Sequence, residues 1–460
     1  MINPKIVDAL EKIAEKAHVS TDKSDLICYS YDASQQMFLA DVIVFPKNAG
    51  EIAQILRMAN KENVPVFPRG AGSGLTGGSL PTKGGIVLSI ERMDRILEID
   101  EENLVATVEP GVITEIFQKE VEKLGLFYPP DPASLKFSSL GGNVAENAGG
   151  PRCVKYGTTK DYIMGLEVVT PLGDIITTGC RTMKGVVGYD LTKLLCGSEG
   201  TLGIITQIII KLLPLPQAKK TMLVFFSSIE GAAKGVSKII AGKIIPTTLE
   251  FMDGRTLECI RRATDLKVPD EAHAVLIIEV DGDPEGLDKQ IHRICTLIEP
   301  FGSVAVHIAE TAEDSEALWQ IRRAVSPSLG KASPDRFTED ICVPRSKVPD
   351  MIRILESISE KDTIDIACFG HAGDGNIHVN ILFDKKVSGE REKAIKVIEK
   401  VFKGALKLGG TMSGEHGVGI AKAPYLYLEV SQNAVSYMKT LKHALDPNNI
   451  LNPGKIFLEK

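Results

Sequence analysis

The sequence predicts an α+β protein of more than one domain, on three observations. The chain has 460 residues, which at roughly 100–200 residues per domain makes two to four domains. Between Met222 and Ile308 a strand–helix–strand pattern occurs twice in succession (223–226, 232–240, 248–251, then 275–280, 287–298, 303–308), the arrangement of a ferredoxin-like sheet. The 42 glycines exceed the average share of about 7% and cluster, which points to backbone wrapped closely around a ligand.

The elements follow in order. A first helix is capped by Asn3, has Pro4 in its first turn, and repeats Ile6, Leu10, Ile13 and Ala17 on one face. A second opens at Asn48 with Glu51 in capping-box spacing and turns Ile52, Ile55, Leu56 and Ala59 inward. Apolar runs at 64–67, 86–90, 96–99 and 104–108 read as strands, and 114–124 as a helix. After the turn Pro129-Pro130-Asp131-Pro132 comes a glycine-rich stretch, 141–150. Runs 166–170 and 175–178 flank Pro171-Leu172-Gly173-Asp174 as a hairpin. The composition changes after Pro214-Leu215-Pro216, and a turn-rich tail closes the chain from Asp446.

Composition excludes several function classes. Fifty-three Lys+Arg against 60 Asp+Glu leave a net charge of −7, the wrong sign for binding a nucleic-acid backbone. The N-terminus runs straight into a polar helical pattern without the apolar core of a signal peptide. The most apolar stretch, 202–213, is broken by Thr206, Gln207 and Lys211 and is shorter than the roughly 20 residues of a membrane span. No two of the eight cysteines are closer than 16 positions, so zinc knuckles, iron–sulfur runs and haem attachment sites are absent. Scattered single thiols predict a cytoplasmic protein.

The densest motif is Pro68-Arg69-Gly70-Ala71-Gly72-Ser73-Gly74-Leu75-Thr76-Gly77-Gly78, directly after a strand. Such a loop can turn many N–H groups toward one anion; the plainer reading is a flexible surface turn. Residues 72–77 fit GxGxxG, but that fingerprint needs a helix opening on its last glycine. Gly78, Pro81, Gly84 and Gly85 lead to a strand instead, and no Gly-Lys-Ser/Thr follows for a phosphate-binding P-loop.

The loop resembles the pyrophosphate loop of vanillyl-alcohol-oxidase-type FAD-binding domains. Three further stretches fit that family in order: Pro129–Ser134 (numbers 129–134), Gly141-Gly142-Asn143-Val144-Ala145-Glu146-Asn147-Ala148-Gly149-Gly150, and Cys196-Gly197-Ser198-Glu199-Gly200-Thr201-Leu202-Gly203-Ile204. The resemblance covers nearly the whole chain and implies a two-part FAD-binding domain with a ferredoxin-like cap. It places FAD on Arg69, Gly70, Ala71, Gly72, Ser73, Gly74 and Leu75, on Pro130, Asp131 and Ser134, on Gly141, Gly142, Asn143, Asn147, Gly149 and Gly150, and on Glu199, Gly200, Gly203 and Ile204. Some relatives hold the flavin covalently through a histidine; Ser73 stands at that position, which implies non-covalent FAD. The domains expected are 1–37, a helical segment; 38–217, the FAD domain; 218–409, the cap; and 410–460, a segment returning to the FAD domain.

Three of the eight histidines lie in two short motifs, Gly370-His371-Ala372-Gly373-Asp374-Gly375-Asn376-Ile377-His378-Val379-Asn380 and Ser413-Gly414-Glu415-His416-Gly417-Val418-Gly419. Apolar runs on both sides make the first a hairpin, with His378 and Asn380 facing one way. Two imidazoles and a carboxylate suit a divalent metal with an open position; the plainer reading is histidines that satisfy hydrogen bonds at tight turns. Both motifs resemble those of FAD-dependent D-2-hydroxyacid dehydrogenases. The resemblance implies His371, His378 and Glu415 as ligands of a divalent metal (zinc, manganese or iron), His416 as general base, Asn380 as a substrate contact and Arg322 as the group that binds the substrate carboxylate. Thr338 stands where hydroxyglutarate-specific members place a lysine, which favours a small monocarboxylic acid such as D-lactate or glycolate.

The function so implied is FAD-dependent oxidation of a 2-hydroxy acid to the 2-oxo acid. With no metal chain of its own, the protein needs an external acceptor: an iron–sulfur subunit, an electron-transferring flavoprotein, a quinone or a dye-like carrier, with dioxygen a further acceptor that the sequence does not exclude. Two rivals remain: an alkyl-glycerone-phosphate-synthase-like transferase, which shares this fold, and a non-catalytic FAD-binding subunit of an oxidase complex. The paired histidine motifs speak against the first, and the intact cap motifs against the second.

Overall fold

A computed structural model of the chain describes residues 2–458. It forms two compact units. The first takes in the chain up to Gly149, Thr158–Leu215 and the chain from Glu415 on; the second takes in Gly150–Gly157 and Pro216–Gly414.

The first unit holds two main sheets. β1 (Val19–Ser20), β2 (Val42–Val44), β3 (Val66–Arg69) and β4 (Ile86–Ser89) lie in the order β1-β2-β4-β3, with β4 parallel to both β2 and β3. The helix Ala49–Glu62 starts where Asn48 accepts the Glu51 N–H at 2.9 Å. It buries Ile52, Ile55, Leu56 and Ala59 against Val42, Val44, Val66 and Ile86. Each Val, Leu or Ile side chain among them contributes about 1.5–3 kcal/mol when fully buried. The chain returns to this sheet near its C-terminus: Val66 donates to Ile450 O, and Asn452 donates back to Val66 O, both at 2.8 Å.

The second sheet of this unit is antiparallel. β5 (Ile96–Asp100) and β6 (Val105–Val108) precede a two-residue strand β7 (Leu126–Phe127), then β8 (Ile163–Val169), β9 (Ile175–Gly179) and β10 (Ile204–Lys211), in the order β5-β6-β10-β8-β9; β11 (Leu213–Pro214) pairs with β7. The expected hairpin across residues 170–174 is β8–β9. Residues 141–150 do more than coil. Their first part is the helix Leu140–Glu146, capped by Ser139 and ended by Asn147 at φ +56°.

The second unit is built on one seven-stranded sheet. β12 (Ala218–Phe226), β13 (Thr248–Asp253), β14 (Ala274–Gly282) and β15 (Ser303–Ile308) come from the two tandem strand–helix–strand units. They stand in the order β15-β12-β14-β13, the 4-1-3-2 order of a ferredoxin-like sheet. The sheet then continues through β17 (Asp365–His371) and β18 (Asn376–Phe383) to β16 (Asp335–Cys342), each neighbour antiparallel. The tandem repeat in the sequence does not reveal these three extra strands, and they carry the histidine hairpin. The helices Gly254–Ala263 and Ala312–Ala332 cover one face, with Leu257, Ile260, Ile321, Val325 and Leu329 packed on Leu223, Phe225, Met252, Val275 and Ile277.

Candidate active site

In the first unit, β3 delivers the chain into the glycine loop, which lines a cavity of about 220 Å³. All the residues expected to hold FAD line it except Pro130, Asp131, Asn147 and Gly150. Those four sit beside it in the chain: Pro130 O accepts from Gln118 Nε2 at 2.8 Å, and Asn147 Oδ1 accepts from the Lys160 N–H at 2.9 Å. Glu415 and His416 line the same cavity.

The cradle is made of backbone. A Cβ on Gly70 would fall 2.4 Å from Ser139 Oγ. Gly72 sits at φ +67°, and a Cβ there would meet the Arg69 guanidinium at 2.1 Å. Arg69 itself is buried, donating to Tyr31 O at 2.9 Å and to Ser79 Oγ at 3.4 Å, with its guanidinium 5.4 Å from the Tyr29 ring centre. The chain thus packs against itself as tightly as glycine allows while its loop lines the cavity wall, which fits a flat, phosphate-bearing dinucleotide. Ser73 offers no ring nitrogen for a covalent flavin link.

In the second unit, strand register gathers a polar cluster on one face of the sheet. β13 pairs Glu250 with His371, β17 pairs Phe369 with His378, and β16 pairs Asp340 with His378 and Thr338 with Asn380. His371 and His378 come together edge to face, ring centres 5.1 Å apart. His371 Nδ1 meets Glu250 Oε1 at 2.5 Å, and Arg322 Nε donates to Glu250 Oε2 at 2.8 Å. Arg322 arrives from the helix Ala312–Ala332 and lies 4.5 Å over the Phe369 ring. Glu250 is wholly buried. Burial opposes its charge, but His371 and Arg322 beside it, with the hydrogen bonds they make, hold its carboxyl below the usual carboxylate range.

This donor set fits a divalent metal. The Glu250 carboxylate sits on Nδ1 of His371, and a carboxylate behind an imidazole is the usual arrangement where a histidine holds a metal. His378 Nδ1 lies 3.5 Å from Asp340 Oδ1. Asp340 in turn accepts from Asn376 Nδ2 at 2.6 Å and from the Gly414 N–H at 2.9 Å. Asn380 Oδ1 accepts from Thr338 Oγ1 at 3.0 Å while its Nδ2 donates to Ala367 O at 3.3 Å.

Sequence reasoning missed Glu250 and Asp340. Glu250 stands between Leu249 and Phe251 and Asp340 next to Ile341 in their strands, and a buried carboxylate needs a cationic or N–H partner. That pattern was the available signal. It also missed Glu146, which lines the cavity and whose buried Oε2 would lie 2.1 Å from a Cβ placed on Gly417.

Comparison with known proteins shows the family. Residues 40–179 match the family described as FAD binding domain, and residues 215–456 match the family described as FAD linked oxidases, C-terminal domain. The chain is 46% identical over 458 residues to the glycolate oxidase subunit GlcD of Bacillus subtilis (strain 168), covering 99% of this chain and 97% of that one. It is 33% identical over 464 residues to a D-lactate dehydrogenase of Anaerostipes hadrus, covering 99% and 98%. Its fold is similar to that of p-cresol methylhydroxylase, with a TM-score of 0.81 at 16% identity over 99% of this chain and 97% of that one. The expected α+β fold, an FAD-binding part joined to a ferredoxin-based cap, is borne out. The chain belongs to the FAD-linked oxidases and is an FAD-dependent oxidoreductase.

Proposed function

We propose that the protein oxidises a small 2-hydroxy acid, D-lactate or glycolate, to the 2-oxo acid. The observation that carries this reading is the first unit's cavity, lined both by the flavin motifs and by Glu415-His416. FAD, when bound, supplies the two-electron acceptor. His371, His378 and Glu415 would hold a divalent metal, whose charge would lower the pKa of the substrate hydroxyl. His416 takes the hydroxyl proton, a task for which an imidazole has a suitable pKa without special tuning. Arg322 binds the carboxylate through its Nη groups, since its Nε is committed to Glu250. Thr338 and Asn380, hydrogen-bonded to each other, are both neutral, which suits a substrate with one carboxylate.

Electrons leave to an external acceptor. The relative from Bacillus subtilis is named as a subunit of glycolate oxidase, and we extend a partner subunit to this chain as the acceptor or the route to it. No helix among the described residues is long and apolar enough to cross a membrane. All eight cysteines are free thiols, which supports a cytoplasmic location.

Anaerobic single-turnover reduction of the flavin tests the roles. His416→Asn is expected to lower the limiting rate about 10²–10⁴-fold with a modest change in affinity. Arg322→Ala is expected mainly to weaken substrate binding, by about 1.5–3 kcal/mol. Chelation should abolish turnover and added divalent metal restore it. A His378→Ala variant that keeps both its metal and its rate makes the histidine cluster structural.

A further inference from the structure

The loop that carries His416 is fastened to the flavin cradle at several points, all within the first unit. Thr76 Oγ1 donates to His416 O at 3.1 Å. Thr76 O accepts the N–H groups of Ile420 at 2.9 Å and Ala421 at 3.1 Å. From the other side, Glu199 accepts the Val418 N–H at 2.8 Å on one oxygen and the Gly419 N–H at 2.7 Å on the other. Thr76 and Glu199 are both buried, 2% and 6% exposed. The fit is close: a Cβ on Gly419 would lie 2.2 Å from Thr76 O, and one on Gly417, at φ +76°, 2.1 Å from Glu146 Oε2.

The resemblance assigned Glu199 to the flavin. Glu199 lines the cavity, yet both oxygens of its carboxylate accept the 418–419 amides. Burial pushes both the Glu146 and the Glu199 carboxyl up, Glu146 further through the neighbouring Glu199 charge, while the Val418 and Gly419 amides and Lys422 favour the charged form of Glu199.

We propose that Thr76 and Glu199 are positioning residues: together they clamp the loop 415–421 on the glycine cradle and so fix the ring of His416 for proton transfer. This rests on the reading of His416 as base. Charge-assisted N–H···O⁻ bonds are the stronger kind, and two of them on one carboxylate fix both position and orientation. A base held in place removes part of the entropic barrier to the reaction, and a shift of about 1 Å costs on the order of 10²-fold in rate.

The test uses flavin-loaded Thr76→Val, Thr76→Ser and Glu199→Gln, compared with wild type and His416→Asn in anaerobic reduction by D-lactate and by glycolate. Thr76→Val removes the hydroxyl at constant volume, Thr76→Ser keeps it, and Glu199→Gln removes the charge. The clamp predicts that Thr76→Val and Glu199→Gln lower the limiting reduction rate by about 10–100-fold. Half-saturating substrate should stay within about twofold and FAD content unchanged. Thr76→Ser should restore most of the rate. If His416→Asn is slow while Thr76→Val reduces its flavin at the wild-type rate, the clamp is overturned and the base assignment stands. If His416→Asn itself runs at the wild-type rate, the base assignment falls and the clamp falls with it. Should Glu199→Gln fail to keep its flavin, Thr76→Val and Thr76→Ser decide; equal rates in those two overturn the proposal.

Discussion

The two units bring their polar groups together by opposite means. The first builds its cavity from backbone: glycines at 70, 72, 141 and 142 bring main chain and neighbouring side chains to the limit of approach. The second builds its cluster from long side chains on a rigid sheet, where Glu250, His371, His378, Asp340 and Arg322 meet because strands far apart in sequence are in register. A backbone cradle tolerates changes of side chain but none of glycine. A side-chain cluster is the reverse, and depends on each carboxylate keeping its cation.

The largest effect expected from this contrast is loss of cofactor. Gly72→Ala puts a methyl group onto the Arg69 guanidinium at a backbone angle that L-residues rarely adopt. The variant should purify colourless, with its cap still folded. Full yellow colour and wild-type FAD content contradict a cradle made of backbone.

Next is the cluster. Glu250→Gln keeps volume but removes the charge between His371 and Arg322, which leaves a mostly buried guanidinium without its counter-ion. Breaking a buried pair in this way costs about 3–5 kcal/mol. Denaturant unfolding of the variant should show a loss of that order, with FAD content retained at low denaturant. A loss below about 1 kcal/mol means the pair is screened by water and contributes as a surface bridge does.

How much of each site is legible in the sequence follows from the same contrast. The cradle is written locally: residues 68–78 hold glycine after glycine, and the chain that follows excludes a Rossmann helix without any tertiary information. The histidine hairpin is also local, because its apolar strands flank a Gly-Asp-Gly-Asn turn. Glu250 and Asp340 are not, because their partners come from strands 121 and 38 positions away in the chain, and only the pairing of β13 with β17 and of β16 with β18 reveals them. The helix Leu140–Glu146 is hidden for a different reason. Its two glycines disfavour helix, and the Ser139 cap together with burial of Leu140 and Val144 offsets them.

The smallest expected effect is a pH slope in the cap. Asp253 caps the helix Gly254–Ala263 and accepts the N–H groups of Thr256 and Cys368, each at 2.8 Å. Burial pushes its carboxyl up from 3.8 to about 6. The native state therefore holds this proton more tightly than the unfolded chain does. The stability it contributes is full below the unfolded value and is lost as pH rises toward about 6, a decline on the order of 1–3 kcal/mol. Asp253→Asn should flatten that decline, read from urea unfolding at a series of pH values across the window. Parallel pH profiles for the variant and the wild type place the carboxyl in water instead.

The central claim is that a 2-hydroxy acid reduces the flavin held in the glycine cavity. The most direct measurement is the visible spectrum of the purified holoprotein under anaerobic conditions, before and after adding D-lactate or, separately, glycolate. The account predicts bleaching of the flavin band with at least one of the two, complete within a single turnover and without any added electron acceptor. An oxidised spectrum that persists with both acids, while dithionite still bleaches it, contradicts the claim.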